Sequence, residues 1–167
     1  MASISRNSEP TPVDSPSRRR LPILLRHAWY GLNQVFRRRL AHLDLTPDQF
    51  TVMRTLLESG AITQRELTRL MGSDPNTVAS LLERMEQAGL LERRRHERDG
   101  RANQLRLRAA GKRRYEQARE IAVALQTEVL EVLPPESREE FLEHLARVAD
   151  AARIAAEKSP KRTARSR

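Results

Sequence analysis

The chain has 167 residues, which is enough for one ordinary domain or a small domain with helical extensions, and too few for most large catalytic folds. Its 31 Lys and Arg residues exceed its 22 Asp and Glu residues, and the net charge of +9 favours a polyanionic partner such as nucleic acid or an acidic membrane surface. The absence of cysteine excludes disulfides, thiolate metal sites and cysteine nucleophiles. There is no apolar run of roughly 18 residues and no signal-peptide core in the first twenty, so we expect a soluble cytoplasmic protein without a membrane partner.

The positive charge is concentrated in one segment. Residues 84–114 contain eleven Lys and Arg residues against four Asp and Glu residues, a net charge of +7. The two ends, residues 1–20 and 157–167, carry +2 and +4, which leaves the remainder at −4. A charged run is usually a solvated face, but a basic segment in an acidic background favours a nucleic-acid contact.

Both ends of the chain lack apolar clusters. Residues 1–20 contain three prolines and five serines, so we predict a disordered arm there and a disordered basic tail over residues 158–167. Between them, residues 21–44 are predicted to form a dimerisation helix, because apolar residues recur at steps of three and four. That stripe comprises Leu21, Leu25, Ala28, Leu32, Val35 and Leu43.

Capping signals then predict three helices. Thr46 with Gln49 and Thr63 with Glu66 have capping-box spacing, and Asp74 precedes Pro75 as an N-cap. Glycines at 60, 72 and 89 end the three helices. The predicted buried residues are Phe50, Met53 and Leu57 in the first of these helices, Leu67 and Leu70 in the second, and Val78, Leu81, Leu82 and Met85 in the third. The link between the last two is only two or three residues long, which is helix-turn-helix spacing.

After Gly89 the hydrophobic period changes to that of strands. Leu105 and Leu107 alternate with polar residues, and Asp99 with Gly100 suits a tight hairpin turn. The sequence therefore predicts a basic β-hairpin directly after the helix-turn-helix, which is a winged helix over residues 45–108. A helix of this kind fits the major groove of DNA, while the hairpin reaches the neighbouring minor groove or backbone.

Two further helices are predicted over residues 109–157, separated by Pro134 and Pro135. Their apolar stripes are Tyr115, Ala118, Ala122, Leu125, Val129 and Val132 in the first and Phe141, Leu142, Leu145, Val148 and Ala152 in the second. The chain contains no third layer to cover these stripes, so we expect them to pair with a second copy in a homodimer. The predicted fold is mainly α with a small β-hairpin wing, and long dimerisation helices flank the winged helix.

The candidate DNA-binding residues fall into two groups. Opposite the apolar side of the helix that begins at Pro75 lie polar side chains that could contact base edges or phosphates: Asn76, Thr77, Ser80 and Arg84. Arginines along the first wing strand are better suited to neutralising phosphates than to reading bases: Arg93, Arg94, Arg95 and Arg98. The alternative is that either group is ordinary solvated surface.

The segment DGRANQLRLRAAG resembles the wing signature D-x-R-x-x-x-L-x-L-T-x-x-G of the MarR family of bacterial transcription regulators. Asp99, Arg101 and Gly111 match it, whereas Arg108 replaces the usual threonine, which leaves the next helix without its usual cap. The resemblance implies a homodimer at the bacterial nucleoid that binds a pseudopalindromic operator and represses nearby genes. It also implies that Arg101 enters the minor groove and that Asp99 shapes the turn around it.

The resemblance further implies an effector, a small aromatic or phenolic ligand that releases the DNA. Most of the aromatic residues lie where such proteins bind it, namely Trp29, Tyr30, Phe36 and Phe50, and Arg26 or His27 could meet an acidic group on the ligand. The alternative is that these rings are plain core or dimer contacts.

Catalytic motifs are missing. The four histidines have no metal-ligand spacing, and the sequence lacks GxSxG, GxGxxG and a phosphate-binding loop, so we expect neither an enzyme, a cofactor nor a metal. Two other classes remain open: an architectural DNA binder without an effector, and a winged-helix module that binds proteins.

Overall fold

The computed structural model describes residues 20–95 and 103–159, and it is mainly helical with one small sheet. The helices are α1 (Leu21–Leu40), α2 (Pro47–Ser59), α3 (Gln64–Met71), α4 (Pro75–Gln87), α5 (Ala109–Leu130) and α6 (Arg138–Lys158). The strands are β1 (Ile62–Thr63), β2 (Leu91–Arg95) and β3 (Asn103–Leu107). The predicted fold class, helices with a small β wing after a helix-turn-helix, is confirmed.

The capping boxes predicted for α2 and α3 are both present. At α2, the Thr46 N–H donates to Gln49 Oε1 at 2.9 Å, and the Gln49 N–H donates to Thr46 Oγ1 at 3.2 Å. At α3, the Thr63 N–H donates to Glu66 Oε2 at 2.8 Å, and the Glu66 N–H returns to Thr63 Oγ1 at 3.2 Å. Each box satisfies backbone donors that the first turn of a helix leaves free, so the starts of both helices are fixed by local sequence.

The sheet has three strands in the order β1-β3-β2, all antiparallel. The wing strands pair as expected, with Leu91 opposite Leu107 and Arg93 opposite Leu105. The short strand β1, where Ile62 pairs with Leu105, was not predicted. Two residues are too few to show a strand period, so only pairing with β3 reveals it.

Leucine, valine and methionine side chains of α2, α3, α4 and the sheet form one core. Two expectations about its members were wrong: Leu57 is 38% exposed and Leu70 is 52% exposed. In α2 the buried residue is Leu56, three residues after Met53, rather than Leu57. In α3, Met71 packs against the core in place of Leu70, four residues after Leu67. Steps of three and four are both compatible with a helix face, and the packing partners decide between them.

Helix α5 runs from the sheet along α2 and α1, and its inner side joins the winged helix to the flanking helices. Ala118 is fully buried, and Tyr115 stacks on Phe50 with ring centroids 5.4 Å apart. Arg114 donates to the carbonyl oxygen of Leu43, and α1 is tied to the far part of α5 by the ion pair between Arg39 and Glu128 at 2.6 Å.

The final helix α6 buries none of its residues within the chain, although it carries an apolar stripe. Val132, predicted to belong to the apolar stripe of α5, lies two residues beyond the end of that helix at Leu130 and is 85% exposed. The backbone before Pro134 is biased away from helix, which explains the early end. Within the described residues, no helix combines the length and apolarity needed to cross a membrane.

Gly111 lies in the first turn of α5, close to the backbone of Leu90, three residues after the end of α4. The carbonyl oxygen of Leu90 accepts the Arg108 N–H at 3.0 Å and occupies the space that a Cβ at Gly111 would need. The same Cβ would lie 3.3 Å from Cδ2 of Leu107. Because the nearest atom belongs to the backbone, a change of side-chain rotamer cannot relieve the collision.

We therefore expect Gly111→Ala to displace α5 and to lower the free energy of unfolding by about 1–3 kcal/mol, the usual range for an overpacked site. Thermal and urea unfolding followed by circular dichroism measures this loss. Gly31→Ala is the matched control, since nothing lies within 4 Å of the added Cβ in the middle of α1. Equal stability of the two variants would show that the contact between α5 and Leu90 is not constrained.

Candidate nucleic-acid interface

The turn between α3 and α4 is built from residues whose backbone geometry fixes the angle between the two helices. Gly72 ends α3 in the left-handed conformation, with φ of 59°. Its successor Ser73 returns a hydrogen bond to the Thr68 carbonyl at 3.4 Å. Asp74 then caps α4, accepting the N–H groups of Asn76 at 3.0 Å and Thr77 at 2.9 Å. This is the helix-turn-helix that the capping signals predicted.

The Asp74 cap also carries a charge that depends on pH. Hydrogen bonds from the side chain and the backbone of Thr77 lower the pKa of the Asp74 carboxyl below its ordinary value of 3.8. A lowered folded pKa means that the cap stabilises the fold fully above the unfolded pKa and loses this effect as the pH falls through the folded one. At neutral pH the Asp74 carboxylate is therefore ionised and caps the first turn of α4.

Helix α4 separates its apolar and polar residues onto opposite sides. Its buried residues are Val78, Leu81, Leu82 and Met85, as predicted. The side chains expected to contact DNA are all exposed: Asn76, Thr77, Ser80 and Arg84. Arg84 Nε donates to the Ser80 carbonyl at 3.2 Å, which holds the guanidinium along the helix surface. The structure thus brings these four residues together on one accessible face.

The wing strands present a second polar face, formed by residues that alternate with the buried leucines. Glu92 lies opposite Arg106, and Arg94 lies opposite Gln104. The Glu92 carboxylate pairs with Nε of Arg94 and, at 3.4 Å, with Nε of Arg108. This outward wing face, defined by Glu92, Arg94, Arg106 and Arg108, therefore has three guanidinium groups and one carboxylate, a net charge of +2.

The expectation that Arg93 neutralises phosphate on the wing is wrong for its observed position. Its side chain points to the inner side of the sheet, paired with Leu105, and reaches α3 and α4. The alternation of side chains along a strand decides this, because Arg93 shares the parity of the buried Leu91. The signal was present in the sequence. Arg98, Asp99 and Arg101 lie outside the described residues, so their roles stay predictions.

The residues predicted to bind an effector divide into two groups. Phe50 is buried, and the half-buried Phe36 packs edge-on against it with ring centroids 5.1 Å apart. Arg26, His27, Trp29 and Tyr30 are exposed on α1. Trp29 and Phe36 are seven residues apart and therefore lie on the same side of α1, separated by about 10 Å along its axis.

Among the described residues, no three His, Asp or Glu side chains are grouped as metal ligands. Two surfaces remain as candidates for a nucleic-acid contact, the exposed α4 face and the outward wing face. Both suit a large polyanion, since one offers hydrogen-bonding side chains at a helix start and the other offers guanidinium groups.

Comparison with known proteins agrees with this geometry. Residues 45–102 match the model of the MarR family. The transcriptional regulator HosA of Escherichia coli O111:H- is 30% identical over 129 residues, which span 74% of this chain and 96% of HosA. The chain belongs to the MarR family. It has the winged-helix fold of that family and is a transcriptional regulator of the MarR type.

Solved MarR-family structures show the same fold. A MarR family protein from Bacillus stearothermophilus is 31% identical, with a TM-score of 0.68 over 81% of this chain and 95% of that one. A mutant MarR from E. coli in complex with operator DNA is 24% identical, with a TM-score of 0.69 over 77% of this chain and 92% of that one. At 24% identity, the similarity to the MarR–operator complex supports a shared fold and nothing further.

The Glu92 carboxylate should weaken the attraction of the wing for phosphates, because it cancels part of the charge of Arg94 and Arg108. We expect Glu92→Gln to tighten binding to any duplex by roughly twofold to tenfold and to steepen the plot of log K against log salt by about one unit per wing. Titration of a fluorescent duplex at several salt concentrations measures both.

Glu58→Gln is the control, because Glu58 forms an exposed ion pair with Arg54 at 2.7 Å on α2 and loses the same charge. Identical behaviour of the two variants would show that Glu92 acts only through the net charge of the protein.

Proposed function

We propose that this chain binds a pseudopalindromic operator as a homodimer and represses the adjacent genes, with α4 in the major groove and the wing beside it. The observation that carries the proposal is the exposed face of α4, where Asn76, Ser80 and Arg84 follow a start fixed by Gly72 and Asp74. A rigid helix start with short hydrogen-bonding side chains suits contact with base edges. Arg101 is proposed to enter the minor groove and Asp99 to shape its turn, by resemblance to the wing signature.

The outward wing face supports the same proposal. Arg94, Arg106 and Arg108 are positioned along the strand pair rather than at its tip, so they suit phosphates and contribute affinity rather than sequence preference. Arg98 is proposed to act in the same way. Among the described residues no charged side chain is fully buried, and these three arginines lie on the outward side of the strand pair, whereas Arg93 points inward.

Selection of bound duplexes from random DNA tests the operator proposal. We expect a two-fold symmetric consensus, and an affinity for it that falls steeply with salt because a dimer would engage about 6 to 10 phosphates. An unrelated duplex of equal length is the control. A protein-interaction module would enrich no sequence and would show a flat salt plot, which would contradict the proposal.

The homodimer is supported by apolar side chains left uncovered on the flanking helices. On α1 the exposed residues are Leu21, Ile23, Leu24, Leu25, Trp29, Tyr30 and Leu32, and on α6 they are Phe141, Leu145, Val148 and Ile154. Apolar faces of this extent mark an interface. Residues 21–44 and 109–157 are therefore proposed as the dimerisation segments.

We expect removal of residues 135–167 to abolish the dimer, because it takes away α6 and leaves the apolar stripe of α1 without its partner. Losing the link between two half-sites should lower operator affinity roughly a hundredfold or more. Sedimentation gives the mass, and circular dichroism shows that the shortened chain is folded. Removal of residues 160–167 alone is the control and should keep the dimer. A shortened chain that sediments as a dimer would contradict this interface.

The effector is proposed to be a small aromatic or phenolic acid bound near Trp29, Tyr30 and Phe36, with Arg26 or His27 meeting its acidic group. Such a ligand must bind the DNA-free form more tightly than the DNA-bound form, since equal affinity would shift nothing. Titration of aromatic acids, followed by Trp29 fluorescence and operator affinity, tests this. Quenching without loss of DNA affinity would show binding without regulation, and no response would favour the alternative that these rings are plain core or dimer contacts.

A further inference from the structure

Arg93 is a charged residue on the buried side of the wing. In the register of the sheet it lies opposite Leu105, which is 1% exposed, and its own side chain is 29% exposed. Its neighbours along the strand, Glu92 and Arg94, point the other way, toward solvent and each other. Arg93 therefore points away from the outward wing face on which Arg94, Arg106 and Arg108 lie.

The guanidinium group of Arg93 contacts both helices of the helix-turn-helix. Nε lies 3.2 Å from Oε2 of Glu86 on α4, and Nη1 donates to Oε1 of Gln64 on α3 at 3.3 Å. Glu86 lies in the last turn of α4, and Gln64 is the first residue of α3. A single side chain thus links the wing strand to the far end of the recognition helix and to the start of the helix before it.

One donor of the Arg93 guanidinium is not fully satisfied by these contacts. The Nε–H is buried but has no well-aligned hydrogen-bond acceptor among the described residues, although the Glu86 carboxylate is at ion-pair distance. A half-buried ion pair pays for desolvation, and an apolar side chain of similar size is often equally stable or more so. A planar guanidinium provides directional contacts that an apolar side chain lacks, and these fix one relative orientation of the three elements.

We propose that Arg93 is a positioning residue that holds the wing at a fixed angle to α4, so that both elements meet the operator at once. This inference rests on the proposed function. Specific binding requires the helix and the wing to fit their grooves together, whereas binding to unrelated DNA depends on backbone phosphates and tolerates a change of angle. The loss of Arg93 should therefore reduce discrimination more than it reduces general affinity.

Arg93→Met tests the proposal, with Arg94→Met as the matched control. Both remove one positive charge from β2, and methionine keeps an unbranched stem. The probes are the duplex enriched by the wild-type chain from random DNA and an unrelated duplex of equal length. We expect Arg93→Met to lower the ratio of the two affinities by about tenfold or more, while Arg94→Met weakens both alike and shallows the salt plot by about one unit per site.

Two further measurements separate positioning from simple loss of structure. Circular dichroism melting shows whether Arg93→Met is folded, and Glu86→Gln breaks the same contact from α4 with a milder change. We expect Glu86→Gln to lower the affinity ratio as well, and the double variant to lose no more than Arg93→Met alone, because the two residues act through one contact.

A folded Arg93→Met variant with the wild-type ratio would overturn the proposal, as would additive losses in the double variant. If Arg93→Met does not fold, an unchanged ratio in Glu86→Gln overturns it. A wild-type chain that binds all duplexes alike would instead overturn the proposed function, and the inference would fall with it.

Discussion

The close approach of Gly111 to the Leu90 carbonyl determines where α5 leaves the winged helix, and the rest of the architecture depends on that direction. From this point α5 makes contacts along its length: Tyr115 stacks on Phe50, Ala118 lies in the core, and Glu128 pairs with Arg39. A helix that started at a different angle would lose these contacts together. The winged helix and the flanking helices are thus joined through the inner side of α5.

Strand alternation assigns opposite roles to three consecutive charged residues of β2. Glu92 and Arg94 form an ion pair on the outward face, where solvent screens it. Arg93, between them, turns inward to Glu86 and Gln64. The charge composition alone therefore overstates the positive charge on the wing surface. Arg93 points inward, and the Glu92 carboxylate partly neutralises Arg94 and Arg108.

Much of the fold could be predicted because its signals are local. Thr46 with Gln49 and Thr63 with Glu66 satisfy backbone groups within four residues, so their roles do not depend on distant packing. The burial of Leu57 and Leu70 and the direction of Arg93 depend on which elements pack together. β1 exists only through its pairing with β3. Of the candidate interface, the polar face of α4 could be predicted from helix period, whereas the link from Arg93 to α4 required the tertiary structure.

Two copies of the winged helix are proposed to contact one operator in a symmetric arrangement. Hydroxyl-radical footprinting of the intact chain on its selected duplex tests this most directly. We predict two protected half-sites whose centres are about one helical turn, 10 to 10.5 base pairs, apart or a multiple of it, bound by two chains per duplex. A single protected half-site bound by one chain would contradict the account.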